Sequence, residues 1–259
     1  MTLRETFDEA PELYDRVRPG YPEQLFDDLA SLAGLRPGSR VLELGCGTGQ
    51  ATVSLARRGY ELVAIELGAG LAELARRRLA PFPAVRVVHA AFEAWPLPAE
   101  PFDAVFAATS FHWIEPEVRV AKSADALRPG GALAVVSTHH VAGRDRQFFA
   151  DAQRCYERWD PTTPPGVRLM PAGEIPVDRG QFAASGRFGD VVFRRYEREL
   201  TYSAQEYREL LLSYSGHRAM EPNARQQLLA CIVRLINDRY GGQVAKRYLN
   251  ELAVTFRAR

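Results

Sequence analysis

A glycine-rich turn between two apolar segments constrains the fold of this 259-residue chain more than any other feature. Arg40–Leu44 is predicted to be a buried strand, and Gly45, Gly47 and Gly49 connect it to a helix predicted over residues 48–58. Glycine lets the backbone turn sharply and approach a ligand where a side chain would collide. The helix start presents free backbone N–H groups to polar atoms. The segment therefore predicts a strand–loop–helix site for a nucleotide-like ligand.

Predicted strands alternate with helices through the first 140 residues. A helix is expected at 22–33, further strands at 62–65, 85–88, 104–107 and 132–136, and further helices at 69–80 and 117–127. Continuously apolar strands separated by helices are typical of a parallel sheet that is covered on both faces. We therefore predict an α/β fold with a doubly wound, mostly parallel sheet.

The second half of the chain is less regular. The pattern predicts helices at 148–159, 203–214 and 222–240, an edge strand at 191–197 and a last, antiparallel strand at 247–256. A stretch rich in proline and glycine follows the first of these helices. We predict a single domain, 1–259, with a cofactor-binding core at 34–140 and an α-helical insertion or lid at 141–189.

The spacing of the glycines separates two kinds of nucleotide site. A dinucleotide fingerprint needs glycine at position 50, but this chain has Gln50 there and its third glycine is Gly49. Glu43 precedes the first glycine by two residues, where its carboxylate would repel a pyrophosphate and suit a ligand with a cationic amino group. A nicotinamide-dependent oxidoreductase is therefore disfavoured. A turn with no ligand remains the alternative interpretation.

Two further segments follow predicted strands at positions where nucleotide ligands are held. Glu66 ends the second strand, where a carboxylate can accept hydrogen bonds from both ribose hydroxyls. Ala91-Phe92-Glu93 follows the third strand, where an aromatic ring can stack on adenine and an acid or amide can meet its amino group. The alternatives are a solvated acid at a strand end and an ordinary loop. The order of these positions along the chain favours an adenosine site.

Over residues 10–140 the chain resembles the class I S-adenosylmethionine-dependent methyltransferases. Residues 41–49 (VLELGCGTG) are similar to that family's first motif, and 102–106 (FDAVF) and 127–131 (LRPGG) look like later ones. The resemblance implies a Rossmann-like, seven-stranded sheet with the lid between strands 5 and 6. It also implies S-adenosylmethionine as cofactor and S-adenosylhomocysteine as product. Cofactor binding is implied for Tyr14, Arg18, Glu43, Gly45, Cys46, Gly47, Thr48, Gly49, Glu66, Leu67, Ala91, Phe92, Glu93, Ala108 and Thr109.

Residues 14–22 and 110–114 resemble a subgroup that includes the trans-aconitate methyltransferases and bacterial enzymes acting on small molecules. A small-molecule acceptor is therefore expected, methylated on oxygen, nitrogen or carbon. His112 is the candidate general base, because ligands bind beyond the carboxyl ends of parallel strands; a packing role is the alternative. Substrate binding is expected of Tyr21, Phe111, His112, Trp113, His139 and His140. A cyclase or binding protein using the same cofactor site remains an alternative function.

Composition argues against several other classes. The net charge of +1 gives no support to a nucleic-acid surface or a basic membrane patch. Cys46, Cys155 and Cys231 are far apart in sequence, so we expect neither a disulfide nor a zinc or other metal site. The acidic N-terminus lacks the apolar core of a signal peptide. The cysteines and the N-terminus predict a cytoplasmic protein, and the frequent Arg, Ala, Pro and Gly are typical of a GC-rich bacterial genome. We expect a monomer or a homodimer.

Overall fold

The computed structural model describes residues 7–183 and 185–258, so the first six residues of the N-terminus discussed above lie outside it. The strands in this part of the chain are β1 (Arg40–Leu44), β2 (Glu61–Glu66), β3 (Val85–His89), β4 (Phe102–Ala108), β5 (Leu127–Val141), β6 (Val192–Ser203) and β7 (Gln243–Phe256). The helices are α1 (Pro11–Val17), α2 (Glu23–Ala33), α3 (Gln50–Arg57), α4 (Ala69–Leu79), α5 (Pro116–Ala126), α6 (Arg146–Trp159), α7 (Gly180–Ala183), α8 (Ala204–Leu212), α9 (Ser215–Ala219) and α10 (Pro222–Arg239).

The strands form one seven-stranded sheet in the order β3-β2-β1-β4-β5-β7-β6. The pairs β1–β2, β2–β3, β1–β4 and β4–β5 are parallel, and the remaining two neighbouring pairs, both of which involve β7, are antiparallel. The predicted doubly wound, mostly parallel sheet with an antiparallel last strand is therefore confirmed. The chain proceeds outward from β1 in one direction and then returns to β4. Sheets of this kind bind ligands at that reversal, beyond the carboxyl ends of the strands.

The chain folds into two compact units, which we call the sheet unit and the helical unit. The sheet unit contains residues 19–138, 177–183, 185–196 and 250–258, and the helical unit contains 7–18, 139–176 and 197–249. The strands β5, β6 and β7 each contribute residues to both units. The segment predicted as a lid, 141–189, also contributes to both.

The sheet unit is buried on both faces of its sheet because neighbouring residues of each strand point to opposite sides. On β1, Val41 packs into a cluster with Phe26 and Leu55 from α2 and α3, whereas Leu42 packs into the opposite cluster with Val120 and Ala124 from α5. Both clusters consist of buried side chains. Continuous burial of this kind explains why the strands lack an alternating pattern and were recognisable as apolar runs.

The helical unit has its own core, built from α6, α8 and α10. Phe148, Tyr207 and Ile232 are among its buried residues. Cys155 on α6 and Cys231 on α10 form a disulfide across a sequence separation of 76 residues, which corrects the expectation that the cysteines do not pair. The two helices pack side by side, and this contact, which sequence spacing does not reveal, brings the two thiols together.

Two kinds of feature are absent from the described residues. None of the helices in residues 7–183 and 185–258 is both long enough and apolar enough to cross a membrane. The same residues contain no group of three or more histidine, cysteine, aspartate or glutamate side chains that could hold a metal ion.

Candidate functional site

The glycine loop after β1 depends on backbone conformations that other residues rarely adopt. Gly45, Gly47 and Gly49 have φ angles of 66°, 59° and 89°, all in the left-handed region. A Cβ atom at Gly45 would lie 2.6 Å from the Cβ of Ser110, so this position also lacks space for a side chain. The spacing that predicted a glycine-dependent turn therefore corresponds to a turn that needs glycine at each position.

Glu66, at the end of β2, is tied to the loop by backbone amides. Its Oε2 atom accepts a hydrogen bond from the N–H of Gly47 (2.8 Å), and its Oε1 atom accepts one from the N–H of Gly68 (2.8 Å). The side chain is buried, unlike the solvated acid considered as an alternative. A carboxylate is an acceptor, so Glu66 is suited in chemical type to a ligand that brings hydroxyl donors.

Glu43, on β1, supplies a second buried carboxyl group. The residue is 1% exposed, and among the described residues its Oε2 atom has no hydrogen-bond partner. Burial raises the pKa of Glu43 to about 7, and the negative charge of Glu66 adds to the shift. A buried acceptor without a partner is costly, so this oxygen is suited to a ligand that brings a donor.

The remaining loop residues are packed inward. The side chain of Cys46 is buried against Ala64, Ala75 and Leu79, and burial raises the pKa of its thiol. Thr48 is buried, and its carbonyl oxygen accepts a hydrogen bond from Arg78. A thiol held in its neutral form has little nucleophilic reactivity, so Cys46 fills space in the loop.

The segment after β3 is more buried than its sequence suggests. Phe92 is 4% exposed and packs in the core, with the Nζ of Lys122 5.3 Å from the centre of its ring. Glu93 accepts a hydrogen bond from the N–H of Glu115 through its Oε1 atom (3.3 Å). Leu67, after β2, uses its carbonyl oxygen to contact the Nε2 of His89 (3.1 Å). The Phe92 ring therefore offers little free surface, and the backbone of the segment is better placed to meet a ligand.

Two residues that directly follow β4, Thr109 and Ser110, make contacts that the sequence did not predict. Thr109, which follows Ala108, has a φ of 56°, and no other described non-glycine residue has a positive φ. Its Oγ1 atom lies 2.5 Å from the hydroxyl of Tyr21. Ser110 donates a hydrogen bond to the carbonyl oxygen of Leu44 (2.5 Å), which ties the end of β4 to the glycine loop. Strained backbone of this kind is concentrated at functional sites. The two small polar residues that follow β4 were the only signal in the sequence for these contacts.

His112 lies in a short 3₁₀ turn, Phe111–Trp113, just after β4. Its side chain is exposed, and its ring centre is 4.8 Å from that of Trp113. The surrounding protein atoms and the charge of Arg119 lower the pKa of His112, which favours the neutral imidazole. Phe111 is buried and stacks with Phe182, with 6.4 Å between the ring centres. The turn is therefore anchored by Phe111 and presents His112 to solvent.

Four of the predicted site residues belong to the helical unit. Arg18 donates a hydrogen bond to the carbonyl oxygen of Ser213 (2.7 Å), and its guanidinium carbon is 4.9 Å from the ring centre of Tyr14. His139 and His140 are the first two residues of this unit after the sheet unit's part of β5. The sheet unit contains the other predicted residues, including Tyr21.

Several known methyltransferases are similar to this chain in sequence. Residues 41–131 match a family model described as a methyltransferase domain. An uncharacterized methyltransferase of Mycobacterium tuberculosis is 35% identical over 51% of this chain and 51% of the relative. One from Geobacillus kaustophilus is 32% identical over 56% of this chain and 70% of the relative. A trans-aconitate 2-methyltransferase of Paracidovorax citrulli is 35% identical over 48% of each. The chain thus spans about half the length of the first and third relatives.

Solved structures share the fold at lower identity. A protein of Anaeromyxobacter dehalogenans described as a type II methyltransferase has a TM-score of 0.66 and 23% identity, and the match covers 93% of this chain and 97% of that one. Phosphoethanolamine N-methyltransferase 2 of Haemonchus contortus, in complex with S-adenosylhomocysteine, has a TM-score of 0.55 and 16% identity. That match covers 100% of this chain and 61% of the other.

Proposed function

Because the chain belongs to the class I S-adenosylmethionine-dependent methyltransferase family, we propose that it transfers a methyl group from S-adenosylmethionine to a small-molecule acceptor. The observation that carries this proposal is the left-handed glycine loop held against Glu66 and flanked by the buried Glu43. Two carboxyl groups beside such a loop suit a ligand that has a cationic amino group and a ribose, and they oppose a pyrophosphate.

The residues present fit this cofactor in chemical type. Glu43 has a buried oxygen that lacks a partner among the described residues, and this oxygen would accept a hydrogen bond from the cofactor's amino group. Glu66 supplies a carboxylate, which is the type of acceptor that suits ribose hydroxyls. The backbone around Ala91 and the side chain of Glu93 would meet the adenine. When bound, the cofactor supplies a methyl group on a sulfonium, which is already activated towards nucleophiles.

The protein's own contribution is therefore mainly to orient the acceptor and to remove a proton where the acceptor carries one. His112 is the proposed base, because its exposed imidazole follows β4 and its lowered pKa keeps it neutral near physiological pH. Phe111 and Trp113 would hold this turn in place, and Tyr21 would orient Thr109 through their hydroxyl contact. An acceptor that is already deprotonated needs only the positioning.

Calorimetry on the purified protein tests the cofactor. We expect heat of binding with S-adenosylmethionine and with S-adenosylhomocysteine, and none with a nicotinamide dinucleotide. Glu66→Ala should weaken both affinities by about 1.5–3 kcal/mol, the size of a hydrogen bond to a charged group. Arg128→Ala, which removes an exposed side chain and its ion pair with Asp103, is the control and should bind normally. Binding of the nicotinamide dinucleotide alone would contradict the proposal.

Turnover separates methyl transfer from the alternative of a cyclase or binding protein with the same cofactor site. Panels of small carboxylic acids, phenols and amines are incubated with the protein and S-adenosylmethionine, and formation of S-adenosylhomocysteine is measured. We expect product with at least one class of acceptor, and a slower reaction with His112→Ala when that acceptor must lose a proton. A protein that binds the cofactor and yields no product with any class would support the non-methylating alternative.

A further inference from the structure

The helical unit contains a buried lysine in a group of tyrosines. Lys246, on β7, is 2% exposed, and its Nζ donates a hydrogen bond to the hydroxyl of Tyr214 (3.1 Å). The same Nζ lies 5.6, 5.1 and 5.5 Å from the ring centres of Tyr207, Tyr214 and Tyr248. An ammonium group has three donors, so among the described residues two of them have no hydrogen-bond acceptor.

No acid balances this charge within the part of the chain that the structure describes. Lys246 and Arg18 form no ion pair with any described carboxylate. The guanidinium carbon of Arg18 lies 4.5 Å from the ring centre of Tyr214, and its Nε is buried without an acceptor among the described residues. Removing a cation from water without pairing it is expensive. A buried amine and a guanidinium share one tyrosine here, and neither has a counter-charge among the described residues. This arrangement suggests that an anion completes the group.

The other groups around Lys246 are neutral donors and acceptors at physiological pH. Burial raises the pKa of Tyr214 to about 12, so its hydroxyl stays protonated. His140 has its Nε2 atom 3.4 Å from that hydroxyl, and surrounding atoms together with Lys246 and Arg18 lower its pKa. His217 has its Nε2 atom 2.9 Å from the hydroxyl of Tyr156.

The histidines near Lys246 add no charge to this group. Burial and the charge of Lys246 lower the pKa of His217 to about 4, against the opposing effect of Asp160. His139 lowers the pKa of His140 further. Both imidazoles are therefore neutral at physiological pH, and no acid contributes to the pKa shift of Lys246 itself. The side chain of His140 is exposed, so the group is open to solvent on that side.

We propose that Lys246, Arg18, Tyr214 and His140 form a binding site for the oxyanion group of a small organic acid, a carboxylate or a phosphate. We call these four residues the lysine site. The ligand of the lysine site is therefore a negatively charged small molecule. The lysine site lies within the helical unit, and its ligand binding can be measured without the cofactor.

Binding of an anion would change the ionisation of Lys246. Burial and the charge of Arg18 lower the pKa of Lys246 to about 7 in the free protein, so a large fraction of the side chain is neutral at physiological pH. An opposite charge within hydrogen-bond distance favours the protonated form. Anion binding should therefore raise the pKa of Lys246 and take up a proton. Affinity for the anion should fall as pH rises above about 7.

The chain offers a direct measurement, because Lys122 and Lys246 are its two lysines. Protein labelled with ¹³C at lysine Cε gives one signal for each, and Lys122→Met assigns them. The labelled protein is titrated with inorganic phosphate, with succinate, and with sodium chloride at matched ionic strength. We expect the Lys246 signal to shift and its pKa to rise by about one unit or more with phosphate or succinate. The probe that shifts the signal at the lower concentration shows whether the site prefers a phosphate or a carboxylate.

Lys122 is the internal control, because its Nζ donates to the carbonyl oxygens of Glu93 and Trp95 and so already has neutral partners. Its signal should not respond to either anion. Equal responses of both lysines, or a Lys246 signal that moves no more with phosphate or succinate than with chloride, would overturn the lysine site. This measurement uses the unaltered chain and does not depend on whether a variant folds.

Variants and the cofactor separate the two proposals. Lys246→Met should weaken anion binding about tenfold or more, whereas Lys246→Arg, which keeps the charge, should retain most of it. Both variants should bind S-adenosylhomocysteine as the unaltered protein does. Cofactor binding with no response of Lys246 would overturn the lysine site alone. A response of Lys246 in a protein that binds no cofactor would overturn the proposed function and leave the lysine site in place.

Discussion

Gly45 is subject to two separate constraints, one on its backbone conformation and one on the space around it. Its φ of 66° disfavours any residue with a Cβ atom, and a Cβ at this position would lie 2.6 Å from Ser110. Gly38 shares the first constraint, with a φ of 87°, but has no atom within 4 Å of such a Cβ. The two glycines therefore allow conformational strain to be separated from steric overlap.

Gly45→Ala should destabilise the protein by about 2 kcal/mol more than Gly38→Ala, because both add conformational strain and only the first also overpacks. Urea unfolding of the two variants measures the difference. In the double variant Gly45→Ala/Ser110→Gly part of the lost stability should return. Equal losses for both single variants would show that the loop tolerates a side chain at Gly45.

Because Glu43 is buried, it should make the protein less stable as pH rises. Its pKa in the folded protein, about 7, lies above the ordinary value of 4.5, so unfolding releases a proton at intermediate pH. Its stabilising contribution is complete below about pH 4.5 and is lost as pH rises through about 7. Glu43→Gln should therefore stabilise the unliganded protein at about pH 8 by an amount on the order of 2–3 kcal/mol, and little at about pH 5. Thermal unfolding at both pH values measures this; an identical effect at both would contradict it.

At the scale of helices and strands, sequence patterns located nearly every element but shortened several strands. The apolar run 132–136 was predicted as a strand, whereas β5 extends over Leu127–Val141. The added residues include Ser137, Thr138 and the two histidines, whose side chains carry no apolar signal. Their strand conformation follows from pairing with β7, which no local pattern encodes. Boundaries set by partners are the part of secondary structure that sequence reasoning misses.

The position at which α8 begins is explained by its local sequence. The side chain of Ser203 accepts a hydrogen bond from the N–H of Glu206, and the Glu206 carboxylate accepts one from the N–H of Ser203. This capping box satisfies two backbone donors at the helix start. Ser203→Ala should cost about 1 kcal/mol of stability, whereas Ser203→Thr should cost little. Denaturant unfolding compares them, and equal stability of the alanine and threonine variants would show that the cap contributes nothing.

At the scale of the whole molecule, the disulfide is the feature that sequence reasoning predicted wrongly. Cys155 and Cys231 close a loop of 76 residues in the helical unit, while Cys46 is a free, buried thiol in the sheet unit. A disulfide that closes a long loop restricts the unfolded chain, and this typically raises the free energy of unfolding by about 2–4 kcal/mol. The disulfide joins α6 and α10, two helices that also pack together in the core of the helical unit.

Thiol counting and thermal unfolding test the disulfide. The denatured protein should titrate one thiol per chain without reductant and three after reduction. Reduction should lower stability by about 2–4 kcal/mol, and Cys155→Ala/Cys231→Ala should make stability insensitive to reductant. Three thiols in protein kept free of reductant would contradict the pairing. That result would favour the predicted reducing, cytoplasmic environment.

The candidate site was predicted in part from its sequence. The loop glycines, Glu43 and Glu66 are recognisable because their roles depend on chain order: each follows or ends a strand of a parallel sheet, whose carboxyl ends share one edge. Ser110 was missed, because its contact with the glycine loop links residues 66 positions apart. Lys246 was missed as well, because its isolation from acids depends on segments that are distant in sequence.

The sequence by itself determined the order of strands and helices, the parallel sheet and the glycine loop, since apolar periodicity and glycine conformation act over a few neighbouring residues. Only the tertiary structure decided which cysteines pair. It also decided which buried carboxyl oxygen lacks a partner, and which lysine lacks a counter-charge, among the residues that the structure describes. These properties depend on what surrounds a side chain in space. The packing of distant segments sets the local solvation and charge, and with them the pKa values of Glu43 and Lys246.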